Sequence, residues 1–479
     1  MFKHEAPMIG RTEESRILRA AAEETEAQFV AVYGRRRVGK TYLVRETLGP
    51  DFAFSHVGMA SGLMDAQLLH FRDSLVKCGL TDCPALASWR EAFLALERLL
   101  DAKRGPRVVF LDELPWMDTP KSRFVPELEH FWNGWCAMQK RFLLVVCGSA
   151  TSWIVSKIVR NRGGLHNRLT RQIRLAPFTL RECAEYASSR GLSHTRRDMC
   201  ELYMVLGGVP WYWSLLEKGW SVARSIDALF FAEGAPLRGE CDELFASLFR
   251  HSDIHRRVVA ALAAVGIGAD RETLIARTKL ADSGTLTRCL EELEQCGFVR
   301  KYTPFGKKTK GSLWQLVDAL ALFHHRFVAG ESNPDERFWS RSVASGAQNA
   351  WRGLAFERVC LAHVPQIKRA LQIGGVLVRV ASWRHVPDDV HPDGAQIDLL
   401  LERADRVIDV CEMKWSDGAY AIDKAGERKL RNRLETFRSV TGTRCAVHLA
   451  MVTPEGVLRN AHSGVVQAEV VLDDLFADV

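Results

Sequence analysis

Residues Gly34-Arg35-Arg36-Arg37-Val38-Gly39-Lys40-Thr41 fit G-x-x-x-x-G-K-[ST], the Walker A pattern of a phosphate-cradling loop. Its backbone N–H groups can wrap a polyphosphate such as ATP. Lys40 can reach the β and γ phosphates, and the Thr41 hydroxyl can hold Mg²⁺. Metal and water also call for carboxylates. Arg107-Val-Val-Phe-Leu-Asp112-Glu113 supplies them, an apolar run ending in two acids, as in Walker B. Asp112 would bind Mg²⁺ and Glu113 would polarise the attacking water. Ser149 follows a further apolar run and could sense a γ-phosphate or simply cap a helix. Arg168 or Arg171 could bring positive charge to the transferring phosphoryl group, in the same chain or from a neighbouring subunit. A solvated basic turn suits Arg171 at least as well. Arg35, Arg36 and Arg37 fill the variable loop positions and could touch phosphate, solvent or a partner.

A second group of ionisable residues lies near the other end of the sequence. Ala395-Gln-Ile-Asp398 opens an apolar run, and a second run ends in Glu412-Met-Lys414. The polar stretch Arg403–Arg406 between them predicts a β-hairpin turn. Folding about it sets Asp398 opposite residues 411–412. Glu412 and Lys414 are two apart and share a face. The two carboxylates can hold Mg²⁺ or Mn²⁺, and Lys414 can orient or activate a water. Glu357, on an expected helix upstream, could complete the metal site. The same charges could instead decorate a solvated sheet face.

Particular elements must position these groups. Phe29–Tyr33 is a short apolar run of buried parallel-strand type, and Thr41–Leu48 is helix-compatible, so the loop lies where an anion meets a helix N-terminus. Residues 29–176 alternate strand and helix, the pattern of a parallel α/β sheet. A helix is expected before it, from about Glu13 to Gln28. Helices follow to about residue 250, broken by Gly207-Gly208-Val209-Pro210, with Trp211, Tyr212 and Trp213 read as core. Ile254–Val265, Arg271–Lys279 and Gly284–Cys296, the last capped by Asp282-Ser283, form three helices. Phe298–Tyr302 and Ser312–Leu316 then form a hairpin, giving a winged helix-turn-helix. Thr285 and Arg288 would face a groove, and Lys307, Lys308 and Lys310 would contact phosphates from the wing tip. Glu291, Glu292 and Glu294 on the third helix would oppose such contact, and a rigid interdomain role is an equal reading.

A chain of 479 residues with 47% hydrophobic and 26% charged content suits a globular protein of several domains. No apolar run approaches a membrane span, so no membrane partner is expected. The start Met1-Phe-Lys-His-Glu-Ala-Pro lacks a signal-peptide apolar core. The 12 cysteines include no C-x-x-C pair, which fits a reducing cytoplasm rather than a disulfide scaffold or zinc ribbon. A net charge of +7 permits nucleic-acid contact without demanding it.

In order, Ile9-Gly10-Arg11, Gly34–Thr41, Leu111-Asp-Glu-Leu-Pro115, Gly148-Ser149, Leu175-Ala-Pro-Phe178, Gly207-Gly-Val-Pro210 and the Asp398/Glu412-x-Lys414 hairpin resemble the archaeal-type P-loop ATPases of the STAND/AAA+ neighbourhood. The resemblance covers essentially the whole chain. It implies an α/β protein with a P-loop NTPase domain (1–176), a helical lid (177–250), a winged helix (251–317) and a C-terminal restriction-endonuclease-like domain of PD-(D/E)xK type (318–479). It further implies ATP hydrolysis, with nuclease metal and catalytic residues at Asp398, Glu412 and Lys414 and with Glu357 on the first core helix. At the arginine aligned with Arg168 the sequence departs from the family, with His166-Asn167 in place of a small or aromatic residue and glycine. The expectation is an ATP-binding and hydrolysing protein acting on double-stranded DNA, homo-oligomeric, whose nucleotide state controls the C-terminal site. The alternative is an ATP/ADP signalling switch whose C-terminal domain only binds. An ATP-responsive transcription regulator is a weaker third reading.

Overall fold

The computed structural model describes residues 8–60, 62–149, 151–161, 163–249, 252–306, 311–330, 335–343, 345–389, 391–392 and 394–478. The chain divides into two compact units, Met1–Pro177 and Phe178–Val479. The helical segment expected as a lid thus groups with the C-terminal part of the chain.

The first unit is built on β1 (Gln28–Tyr33), β2 (Phe52–Val57), β3 (Arg107–Asp112), β4 (Phe142–Gly148) and β5 (Arg171–Arg174). All pair in parallel, in the order β2-β3-β4-β1-β5. Alternate residues feed two cores. Phe29, Ala31, Val109, Leu111, Leu144 and Val146 enter one, and Val30, Val32, Val108, Phe110, Leu143 and Val145 enter the other. Burial on both faces explains why these strands read as unbroken apolar runs. The helix expected to reach Gln28 spans Thr12–Glu23. Gln28 already pairs with Leu143 in the sheet, so the intervening residues are needed as a linker.

The second unit opens with Thr179 and Thr195, each closing a capping box on the helix that follows, with Glu182 and Asp198 respectively. A Cβ at Gly208 would lie 1.8 Å from the Phe178 carbonyl oxygen, so only glycine fits this turn. Tyr212 and Trp213 are fully buried, while Trp211 is half-buried. Helices Ser252–Val265, Arg271–Thr278 and Gly284–Gln295 precede an antiparallel pair, β6 (Val299–Tyr302) and β7 (Leu313–Leu316). Ser283 stands at the N-cap but makes no side-chain cap. Asp282 is drawn instead to Arg271, 2.6 Å away. Lys307, Lys308 and Lys310 lie outside the described residues.

A helix, Gly346–Ala362, leads into a second five-stranded sheet. Its strands are β8 (Val378–His385), β9 (Ala395–Arg403), β10 (Val407–Met413), β11 (Ala446–Thr453) and β12 (Ala468–Val471), in the order β12-β11-β10-β9-β8. The first three are antiparallel neighbours, and β11 and β12 join in parallel. The helix Lys424–Thr441 links β10 to β11. The β6–β7 hairpin is fastened to this sheet. Phe305 N–H donates to the Ser382 carbonyl at 2.7 Å, and its ring packs 5.3 Å from that of Phe437.

Candidate nucleotide and carboxylate sites

The Walker loop joins β1 to the helix Lys40–Leu48, at the carboxyl ends of parallel strands, where open α/β sheets take ligands. Two glycines make its path possible. A Cβ on Gly34 would sit 2.3 Å from the Leu175 carbonyl oxygen, and Gly39 holds φ +90°, a left-handed value that other residues rarely adopt. Lys40 is buried and its Nζ donates to the carbonyls of Gly34 (3.1 Å) and Arg35 (2.9 Å). The ammonium is therefore folded over its own loop on neutral acceptors.

Asp112 ends β3 and Glu113 follows it directly, at the N-cap of the next short helix. Thr41 Oγ1 donates to Asp112 Oδ2 at 2.7 Å, and the other carboxylate oxygen accepts from Glu113 N at 2.9 Å. Glu113 takes a left-handed φ of 48°, a conformation a carboxylate residue adopts at some cost. Its Oε2 accepts from Ser149 N (3.2 Å) and Oγ (2.8 Å). Ser149 therefore touches the second carboxylate directly. Thr41 and Asp112 form a hydroxyl–carboxylate pair beside an anion-binding loop, a donor set that fits Mg²⁺.

In the loop, Arg35 and Val38 are buried and Arg36 and Arg37 half-buried. Arg168 is exposed on a turn and, among the described residues, makes no side-chain hydrogen bond. Arg171 pairs with Glu24 at 3.0 Å, which accounts for it without a phosphate. Arg11 carries no obvious chemistry in the sequence, yet it is buried and donates to the carbonyls of Ala176 (2.7 Å) and Val38 (3.4 Å). It braces the phosphate loop against the chain leaving β5. Its partners are backbone atoms distant in sequence, so only its place in the Ile9-Gly10-Arg11 motif signals it.

In the second unit, β9 and β10 pair Ile408 with Glu402 through Cys411 with Leu399. One further step sets Asp398 across from Glu412, on one face with Lys414. Lys414 Nζ lies 2.9 Å from Glu412 Oε1, and Arg433, from the helix Lys424–Thr441, contacts the other oxygen. Burial pushes the Glu412 carboxyl up, but Arg433 and Lys414 outweigh it and hold the group below its usual value. Burial likewise pulls the Lys414 ammonium down, and Glu412 more than reverses this. Asp398 accepts from Gln396 Nε2 at 2.7 Å. Glu357, on the helix Gly346–Ala362, is pushed up to about 7 by burial and the Asp398 charge, against the pull of Arg358 and Lys414. Asp398 and Glu412 both raise Glu357, and three partly or fully buried carboxylates that repel one another form a donor set that fits a divalent cation.

Three residues around this cluster escaped the sequence reading: Arg433, Arg300 and Arg358. Arg300 is pushed down to about 10, by burial first and then by Arg358, with Tyr302 and Asp398 opposing. Arg358 donates to the Leu316 carbonyl at 3.2 Å and to Gly266, tying the helix of Glu357 to β7. At the start of the helix Gly284–Gln295, Thr285 and Arg288 are exposed. Of the acids on that helix, Glu292 is engaged by His255 at 2.8 Å, Glu291 is exposed and Glu294 half-buried.

No family model matches the chain. An uncharacterized protein of Methanocaldococcus jannaschii is 21% identical over 421 residues, 85% of this chain and 88% of that one. The Walker-type ATPase PABY2304 of Pyrococcus abyssi superposes with a TM-score of 0.50 at 16% identity, over 67% of this chain and 97% of that one. The ORC2 protein of Aeropyrum pernix, solved in ADPNP–ADP complexes, gives 0.40 at 16% identity, over 66% and 93%. The α/β fold with its parallel five-stranded sheet is thus shared with a Walker-type ATPase. Among the described residues no helix is long and apolar enough to cross a membrane.

Proposed function

We propose that this chain binds and hydrolyses ATP, engages double-stranded DNA, and uses its nucleotide state to control a metal-dependent phosphodiesterase site in its C-terminal part. The observation that carries the reading is the contact chain Lys40–loop, Thr41–Asp112 and Glu113–Ser149. Lys40 would exchange its two carbonyl partners for phosphate oxygens. Thr41 and Asp112 would hold Mg²⁺, which neutralises charge on the phosphates when bound. Glu113, steadied by Ser149, would take a proton from the attacking water. Arg168, exposed on its turn, would serve a neighbouring subunit of a homo-oligomer.

In the C-terminal part Glu357, Asp398 and Glu412 would hold Mg²⁺ or Mn²⁺, and Lys414 would orient the water. Support comes from the helix, three antiparallel strands, helix and parallel strand that frame these residues, the arrangement expected of a PD-(D/E)xK domain. The three helices and hairpin before them suit a winged helix, with Thr285 and Arg288 presented to DNA. The cysteines form no disulfide among the described residues and are mostly buried, which suits the reducing cytoplasm. One observation favours the signalling-switch alternative: both Glu412 oxygens are already engaged by cations.

Purified protein with Mn²⁺ is expected to nick plasmid DNA, Lys414→Ala to abolish nicking, and Lys40→Ala to remove its response to ATP. Wild type and Lys414→Ala equally inert on all DNA forms, with and without ATP, would leave the switch reading. Phosphate release from ATP is scored separately, so failure of one half leaves the other standing or falling on its own assay.

A further inference from the structure

We propose that His385, Asp388 and His391 form a separate metal site, for a divalent transition ion of the Zn²⁺ class. His385 is the last residue of β8 and pairs with Ala395, the first of β9. Asp388 and His391 lie in the loop between them. One ligand atom from each of the three falls within 4.8 Å of the others. His385 Nε2 is 3.1 Å from Asp388 Oδ2, and His391 Nδ1 is 3.6 Å from Asp388 Oδ1. Ligands about 2.0–2.1 Å from a tetrahedral Zn²⁺ lie about 3.3 Å apart. The observed spacings bracket that edge, so an ion could be seated with small side-chain rotations.

The second observation concerns the ring nitrogens themselves. His385 Nε2 and His391 Nδ1 are both shielded from solvent, and among the described residues neither makes a hydrogen bond. Buried polar atoms without partners are uncommon and call for a ligand. Here the two imidazole nitrogens converge on the Asp388 carboxylate without a hydrogen bond of their own. The rings are held in place. His385 stacks on Trp383 at an interplanar angle of 11°, and the two imidazoles meet edge to face with centroids 5.5 Å apart. The loop is closed by His391 N–H to Asp388 Oδ1 at 2.7 Å and Asp388 N–H to the His391 carbonyl at 3.2 Å.

Two imidazoles and one carboxylate select Zn²⁺, Co²⁺ or Ni²⁺ over Mg²⁺, which prefers oxygen alone. Three protein ligands leave the fourth position to water. The bound ion would clip the β8–β9 loop at the end of the sheet that carries Asp398, about 10 Å along β9 from Ala395. The site is independent of any role for Asp398 in catalysis.

The test uses the full chain, stripped with chelator and titrated with Zn²⁺ by calorimetry. One tight equivalent is expected to bind wild type, and that binding to weaken by about 100-fold or more in His385→Ala and His391→Ala, beyond the loss caused by removing an outer partner. X-ray absorption of the Zn²⁺-loaded wild type, which needs no variant, is expected to show imidazole scattering from two histidines. Failure of wild type to bind Zn²⁺, binding unchanged in both histidine variants, or a spectrum without histidine ligands would each overturn the proposal.

Discussion

The Walker A loop and the carboxylate hairpin each hold a lysine, Lys40 buried and Lys414 partly exposed, on opposite terms. Lys40 rests on two neutral carbonyls of its own loop. Lys414 rests on Glu412, whose other oxygen is taken by Arg433. An arriving phosphate need only outcompete uncharged acceptors at the first site. At the second, a cation must enter against two resident positive charges. Breaking a partly buried ion pair costs more than exchanging a neutral hydrogen bond. On the function proposed above, the first site would fill readily and the second only conditionally.

The comparison can be broken most sharply at the first site. Lys40→Ala is expected to lower ATP turnover by roughly 10²–10³-fold, the range for losing one preorganised charge-stabilising donor, as read by phosphate release. An unchanged rate would remove the loop from the chemistry. Acid and base should then separate the two regions. His56 on β2 is buried, which lowers it to about 4 from 6.5. Its folded value lies below its unfolded one, so stability is lost as pH falls from 6.5 through 4, by up to about 3 kcal/mol. His56→Gln should flatten that loss in thermal melts of the full chain. Glu357 runs the other way, being raised from 4.5 to about 7. In metal-free protein its contribution is present below 4.5 and lost as pH rises through 7, and Glu357→Gln should raise the melting temperature at pH 8 but not at pH 4.

A smaller effect probes the second site's resident charges. Arg433→Gln frees one Glu412 oxygen and should tighten Mn²⁺ binding there roughly tenfold, the equivalent of about 1.4 kcal/mol. Calorimetry showing no change would make the two sites alike after all. The slightest effect is expected at Arg288. Its replacement by Ala should shift stability by less than about 0.5 kcal/mol and, if it meets a phosphate, reduce the salt slope of DNA binding by about 1.

What could be read in advance followed the same divide. The Walker loop is contiguous, so its glycine spacing alone names the backbone path. The hairpin register was legible because the polar turn at Arg403–Arg406 and the period of two leave one way to fold the apolar runs together. Arg11 was legible only as a member of the Ile9-Gly10-Arg11 motif, since it binds distant carbonyls, and Arg433 was not legible, since it sits on a charge-rich helix where arginine is ordinary. The helix expected to reach Gln28 ends at Glu23 because pairing with β4 outcompetes helical propensity there. The Asp282-Ser283 cap failed because an ion pair with Arg271 claims Asp282.

The fastening of the hairpin through Phe305 has a metrical consequence. Phe305 joins β6–β7 to Ser382 and Phe437, and Arg358 joins β7 to the helix of Glu357. The helix bearing Thr285 and Arg288 and the strand bearing Asp398 are therefore tied together within the second unit. If a duplex binds as proposed at the one, it would meet the other at an offset counted in base pairs by the protein, whatever its sequence.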